Sequence, residues 1–183
     1  MPLVYIASVT ASDDATVAFT TGIDATYNEY QFHCINMHGI TDNKNFGFQV
    51  NAHDGSSQLT GFNEVITSAG YKAGHKENDS VTELARLDNI NQAQGTAYQP
   101  ILAHESGNDA DQSTNGILTL YAPASTTHVK HFTSLGSGSQ AADSAQSNDV
   151  SGYINTTNAI TQISFNFSSG NIEFGTIHMY GVG

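Results

Sequence analysis

The chain has 183 residues and a formal net charge of −12, with five Lys+Arg against 17 Asp+Glu. Phosphate neutralisation needs clustered Lys and Arg, and none cluster here, so nucleic acid and anionic membranes are not expected partners. The hydrophobic share is 38% and the charged share only 12%. The remainder is rich in Gly, Ser, Thr, Asn and Gln, which favours short strands and many turns over long helices. The length fits one domain over residues 1–183, large enough to bury a core without staples.

Period-two patterning recurs along the chain. Leu3 to Val9 reads as a first strand and Thr16 to Thr20 as a short second one. Tyr30 to Cys34 alternates, and then Ile35 and Met37 shift the apolar set to the other parity, which predicts a bulge near Cys34–Ile35. Phe46 to Val50 alternates again. The middle is less regular. Ser80-Val81-Thr82-Glu83 has the spacing of a capping box, and the stretch through Leu87 fits a short helix as well as a strand. Tyr98 to Leu102 reads as an edge strand, because Pro100 cannot donate to a ladder on both sides.

The last third is the clearest. Gly116 to Tyr121 is a strand halted by Ala122-Pro123, and His128 to Phe132 is another. Ser134 to Asp149 has nothing to bury and is expected to be a small-polar loop. Ser151 to Ile154 starts the next strand. Ile163 to Phe167 alternates, Ser168 to Asn171 is turn chemistry, and Gly175 to Val182 is the final strand. The expected fold is all-β: a jelly-roll-like sandwich of about eight strands, with one short helix in the middle as an alternative.

Chemistry is sparse. Cys34 is the lone cysteine, so no internal disulfide forms. Residues Met1 to Ile6 lack a basic leader, and no stretch approaches membrane-spanning length, so synthesis in a cytosol is expected. His128 and His131 are three apart, which on a strand sends them to opposite faces; His33 and Cys34 diverge likewise, and His53-Asp54 sits in turn chemistry. None of these pairs amounts to a zinc site. The oxygen-rich run Asn108 to Asn115 carries Asp109, Asp111, Ser113 and Asn115 on alternate positions. A calcium loop would want Gly at 114 and a carboxylate at 120, where Thr114 and Leu120 stand. Glu64 and Glu105 could in principle serve as a glycosidase pair, but nothing in the spacing joins them. Catalytic, cofactor and metal residues are therefore assigned as none. Tyr27, Tyr30, Tyr71 and Tyr98 lie in weakly patterned regions and are candidate exposed aromatics for sugar binding.

Four stretches together carry a resemblance. They are Gly116 to Thr127, Ser151-Gly152-Tyr153, Ile163 to Ile172, and Gly175-Thr176-Ile177-His178-Met179-Tyr180-Gly181. A strand closing on Leu120-Tyr121-Ala122-Pro123-Ala124-Ser125, followed by that Gly170-Asn171-Ile172 turn and terminal strand, resembles small structural proteins of tailed bacteriophages. The resemblance covers mainly residues 114–183 and part of Tyr27 to Asn36; residues 55–112 carry none. The family usually ends Tyr-Gly-Ile, where this chain has Tyr180-Gly181-Val182-Gly183. The resemblance implies a virion component of jelly-roll type. It could be a capsid cement (decoration) protein, with the major capsid protein as partner and a homo-oligomer, trimer favoured, as its form. It could instead be a tail-fibre or baseplate module that binds a host-surface glycan. No enzymatic role and no cofactor are implied, and the implied location is the virion, after synthesis in the host cytoplasm.

Overall fold

A computed structural model describes residues 2–59, 61–88 and 90–183. The strands are β1 (Leu3–Asp14), β2 (Val17–Phe19), β3 (Glu29–Gly39), β4 (Phe46–His53), β5 (Ile66–Lys76), β6 (Thr82–Arg86), β7 (Gln99–Pro100), β8 (Thr114–Tyr121), β9 (Lys130–Gln140), β10 (Ser144–Ile154), β11 (Ala159–Phe167) and β12 (Ile172–Val182). No helix occurs among the described residues. They form an eight-stranded sheet, β1-β12-β3-β8-β9-β10-β5-β6, and a four-stranded sheet, β2-β11-β4-β7, both antiparallel.

The pairings β1·β12, β2·β11, β3·β8 and β4·β7 nest first strand with last, second with next-to-last and so inward. That is one long ladder folded over itself, the topology of a jelly roll; it uses eight of the twelve strands, where about eight in all were expected. The other four strands are two hairpins. β5–β6 is inserted between β4 and β7, and β9–β10 between β8 and β11. β9 pairs with β8, and β10 pairs with β5, so the two insertions join and widen one sheet from four strands to eight. The chain's final strand, β12, lies inside this sheet, with β1 on one side and β3 on the other.

Two expectations are corrected here. Residues 80–87 are not helical: Thr82 to Arg86 is a strand, because register with β5 (Tyr71↔Arg86 through His75↔Thr82) decides what a five-residue pattern leaves open. Residues 134–149 are not a loop: they form most of the β9–β10 hairpin, in unbroken register from Ser144↔Gln140 to Ile154↔Lys130. The reason is that the inner face of this hairpin is small and polar (Ser134, Gly136, Ser144, Gln146, Asn148), so it has no apolar alternation to find. Backbone covers it instead of oily side chains. The His104 N–H donates to Gln146 Oε1 at 3.1 Å, and the Ala103 N–H to Thr114 Oγ1 at 3.0 Å. A side chain at Gly136 would collide with the Leu102 backbone, so glycine there lets residues 101–104 lie flat on the sheet.

The core lies between the two sheets. Phe19, Phe32, Phe46, Phe48, Phe132, Phe165 and Phe167 are buried, with Phe46 stacked on Phe165 (5.9 Å, 7°) and Phe48 edge-on to Phe132 (5.0 Å). Each such ring contributes about 1.5–3 kcal/mol by leaving water. The bulge foreseen in β3 is present: pairing with β8 skips from Cys34 to Met37, and Asn36 takes the left-handed conformation (φ 51°). Lys130 is fully buried, and its Nζ donates to the carbonyls of His128 (2.9 Å) and Thr156 (3.1 Å), tying two turns together. Burial lowers its pKa.

Candidate contact face

One face of the eight-stranded sheet packs on the core; the other points outward. Strand register lets the outward face be read row by row. One row crosses all eight strands: Ser8, His178, His33, Ile117, Leu135, Asp149, Tyr71 and Arg86 are each opposite the next. The adjacent row is Tyr5, Tyr180, Gln31, Thr119, Thr133, Ser151 and Ala69. Tyr121, His131 and Tyr153 lie beyond it, and Ile35, Ser137, Ser147, Ala73 and Leu84 flank the first row on the other side.

The composition of this face is unlike the rest of the chain. It holds Tyr5, Tyr71, Tyr121, Tyr153 and Tyr180, five of the chain's eight tyrosines, and His33, His75, His131 and His178, half of its histidines. Glu29, Asp149 and Arg86 bring the charge among its strand positions, and each carboxylate has a partner. Gln31 Nε2 donates to Glu29 Oε1 at 2.9 Å, and the Tyr71 hydroxyl to Asp149 Oδ2 at 3.3 Å. Neighbouring rings brace one another: His33–Tyr180 at 4.8 Å, Tyr5–Tyr180 at 5.9 Å and His131–Tyr153 at 6.2 Å. Leu135 is 62% exposed, Tyr5 57% and Tyr71 51%, so large apolar surface is left in water. The His33 pKa is lowered by burial and by the neighbouring His178 imidazole.

Chemically, such a face is suited to docking. Tyrosine gives wide contact area at low entropic cost, and Ser, Thr, Asn and Gln give adaptable hydrogen bonds. Near-absence of charge means that little desolvation penalty opposes contact.

The residues singled out in the sequence are dispersed. His33 is on the outward face and Cys34 is buried, on opposite sides of β3, and burial pushes the Cys34 thiol far up. His131 is on the contact face, whereas His128 is in the turn before β9. Asp54 Oδ1 accepts the Ser56 and Ser57 N–H groups (2.8 and 2.9 Å), and His53 Nδ1 accepts that of Gly55; Asp54 is a turn residue as read, whereas His53 is the last residue of β4. In the Asn108–Asn115 run, Asn115 Oδ1 accepts the Asn36 N–H at 2.7 Å, and Asn108 Nδ2 donates to the Ile40 carbonyl. No group of three or more His, Cys, Asp or Glu gathers among the described residues. Glu64 Oε1 accepts the Ala52 N–H near the end of β4, while the Glu105 N–H is held by Asn45 just before β4 begins. Seven residues of strand put roughly 20 Å between those anchor points, too far for a glycosidase pair.

Of the four candidate tyrosines, Tyr71 is on the contact face. Tyr30 is buried, its hydroxyl donating to Asp24 Oδ1 at 3.0 Å, which corrects its reading as exposed. Tyr27 stands edge-on to Tyr30 and fills the space over Gly181, and the Tyr98 hydroxyl donates to Ser164 Oγ. Among the outward residues that sequence reasoning missed, Tyr5, Tyr121, Tyr153 and Tyr180 lie in segments read as strand but were not singled out as outward, whereas Leu135 sits in the segment read as loop. The available signal was the alternation Ser134/Gly136/Gly138 against Leu135/Ser137/Ser139.

No family model, curated protein or solved structure matches the chain.

Proposed function

We propose that the chain is a structural protein of a tailed-bacteriophage virion. In this reading it is a cement protein lying on the outer capsid surface, with the outward face of its eight-stranded sheet laid across seams between subunits of the major capsid protein. The observation that carries the reading is the cross-strand row from Ser8 to Arg86: a broad, charge-poor surface built by widening a jelly roll with two hairpins. The virion assignment itself rests on the sequence resemblance in residues 114–183. A face spanning several capsid subunits gains through effective concentration, because contacts that are weak singly must break together. The acidic remainder of the molecule suits a position facing solvent, away from packaged nucleic acid.

Quantitative mass spectrometry of purified particles tests this reading. Hundreds of copies per particle are expected; a handful would move the protein to the tail. The tail reading has one observation of its own. A shallow cavity of about 360 Å³ on the contact face is lined by Thr67, His131, Thr133, Ser151 and Tyr153, hydroxyls beside aromatic rings in the manner of a sugar subsite. Selective binding to one glycan class on an array would favour that reading over cement.

A further inference from the structure

A sheet edge exposes a row of unpaired N–H and C=O groups, and proteins normally blunt it with brevity, charge or proline. Three of the four edges here are blunted. β2 has three residues, β7 has two and contains Pro100, and β6 has five, including Glu83 and Arg86. The fourth edge, β1, is different. It runs for 12 residues and carries no charged side chain before Asp13. Among the described residues, no backbone hydrogen bond joins Leu3–Ala11 to any element but β12. A bulge at Ile6 interrupts its register, but Ala7 to Ser12 pairs with β12 without a break. Leu3, Val4 and Tyr5 are exposed although they alternate between the two faces of the strand.

We propose that β1 is a pairing edge for a second copy of this chain, the two β1 strands running antiparallel about a two-fold axis near Val9. Charge limits where two copies can meet and sets the direction, and the edge is self-complementary, since antiparallel pairing of residues 4–14 with the same residues of a second copy sets no carboxylate beside another. Two chains of net charge −12 repel, so they can meet only where charge is missing, and β1 is the long uncharged edge. A parallel arrangement would set Asp13-Asp14 beside the same residues of the partner strand. The antiparallel one sets them beside Val4-Tyr5, which are neutral. Ser12 marks the end of the open stretch, since its N–H is already taken by Asp14 Oδ2 at 2.9 Å. Pairing joins two eight-stranded sheets into one and makes their outward faces continuous, doubling the contact area. It gives pairs in place of the trimer that the resemblance suggests.

Sedimentation equilibrium of the full chain over a dilution series tests this. The expected species is twice the 19.4 kDa chain mass. The double variant Ser8→Glu/Thr10→Glu, which places like charges across the axis, should raise the dimer dissociation constant at least about tenfold. Its circular dichroism should not change, because both residues are exposed and lose only surface hydrogen bonds, Ser8 Oγ with the Tyr5 hydroxyl and Thr10 Oγ1 with Thr176 Oγ1. Thr82→Glu on the blunted β6 edge should leave the dimer unaltered. A monomer at all concentrations overturns the proposal. So does a trimer, or a dimer indifferent to the β1 charges. If the double variant unfolds, hydrogen exchange of the wild type decides: β1 amides protected more strongly at high concentration support the pairing, and concentration-independent exchange overturns it.

Discussion

Aromatic residues divide by polarity. Seven of nine Phe fill the space between the sheets, while five of eight Tyr stand on the outward face. A phenol left in water keeps its hydroxyl hydrated and still offers a ring to a partner, which a buried Phe does not need. Two single-residue consequences follow. Asn148 is buried beneath residues 101–104 with neither carboxamide atom partnered among the described residues. An unsatisfied buried amide costs more than an apolar isostere, so Asn148→Leu should stabilise the fold by about 1–2 kcal/mol in urea unfolding; a loss of stability would show that the amide is satisfied. The second concerns pH. Burial lowers the pKa of His33 and of His104, with Lys72 adding to the effect at His104 and Glu105 opposing it. The unfolded chain takes up protons at these imidazoles near the ordinary histidine value, and the folded chain only at lower pH. Below that value the unfolded state binds more protons, and stability falls. Tm should therefore drop between about pH 7 and about pH 5, and less in a His33→Gln/His104→Gln variant. A wild-type Tm that holds level over this interval would contradict the assignment.

Elements differ in how well the sequence announces them. The jelly-roll strands β1, β2, β3, β4, β8, β11 and β12 were legible because one face of each meets the aromatic core, and alternation of Phe, Ile and Val is the trace such burial leaves. β7 and the outer ends of the β9–β10 hairpin, within His128–Phe132 and Ser151–Ile154, were also read as strand; β5, β6 and the turn-side remainder of that hairpin were not. Their inner faces carry Gly70, Gly74, Gly136, Ser144, Gln146 and Asn148, packed against covering backbone, so burial leaves no apolar trace. The contact face was not legible for a different reason: its key row joins residues far apart in sequence, and only register aligns them. Two variants test these elements. Gly136→Val drives a side chain into Leu102 and should cost about 1–3 kcal/mol, lifting residues 101–104 from the sheet; limited proteolysis within 101–107 would report it, and an unchanged protein would contradict the packing. Deleting Gly175–Gly183 removes most of a strand that is paired on both sides and should leave the chain insoluble, since β1 and β3 lose their common neighbour. A soluble, folded truncation would show that β12 is dispensable to the sheet.

At the scale of the whole molecule, charge and shape separate. The acidic groups lie mainly in turns and at strand ends, and the widened sheet presents Tyr, His, Ser and Thr in cross-strand rows. The two inserted hairpins are what make that surface broad, and one of them, β5–β6, comes from the region that resembles nothing. If this is the capsid-facing surface, its tyrosines are covered on particles. Chemical iodination of free protein and of particle-bound protein, read out by peptide mass spectrometry, measures this directly. Tyr5, Tyr71, Tyr121, Tyr153 and Tyr180 should react in the free chain, and those over the seam should lose reactivity on particles, while acetylation of Lys44 in the turn before β4 stays unchanged. Equal tyrosine reactivity in both states, with protection appearing at Lys44 instead, would show that the molecule docks through its turns and not through its sheet.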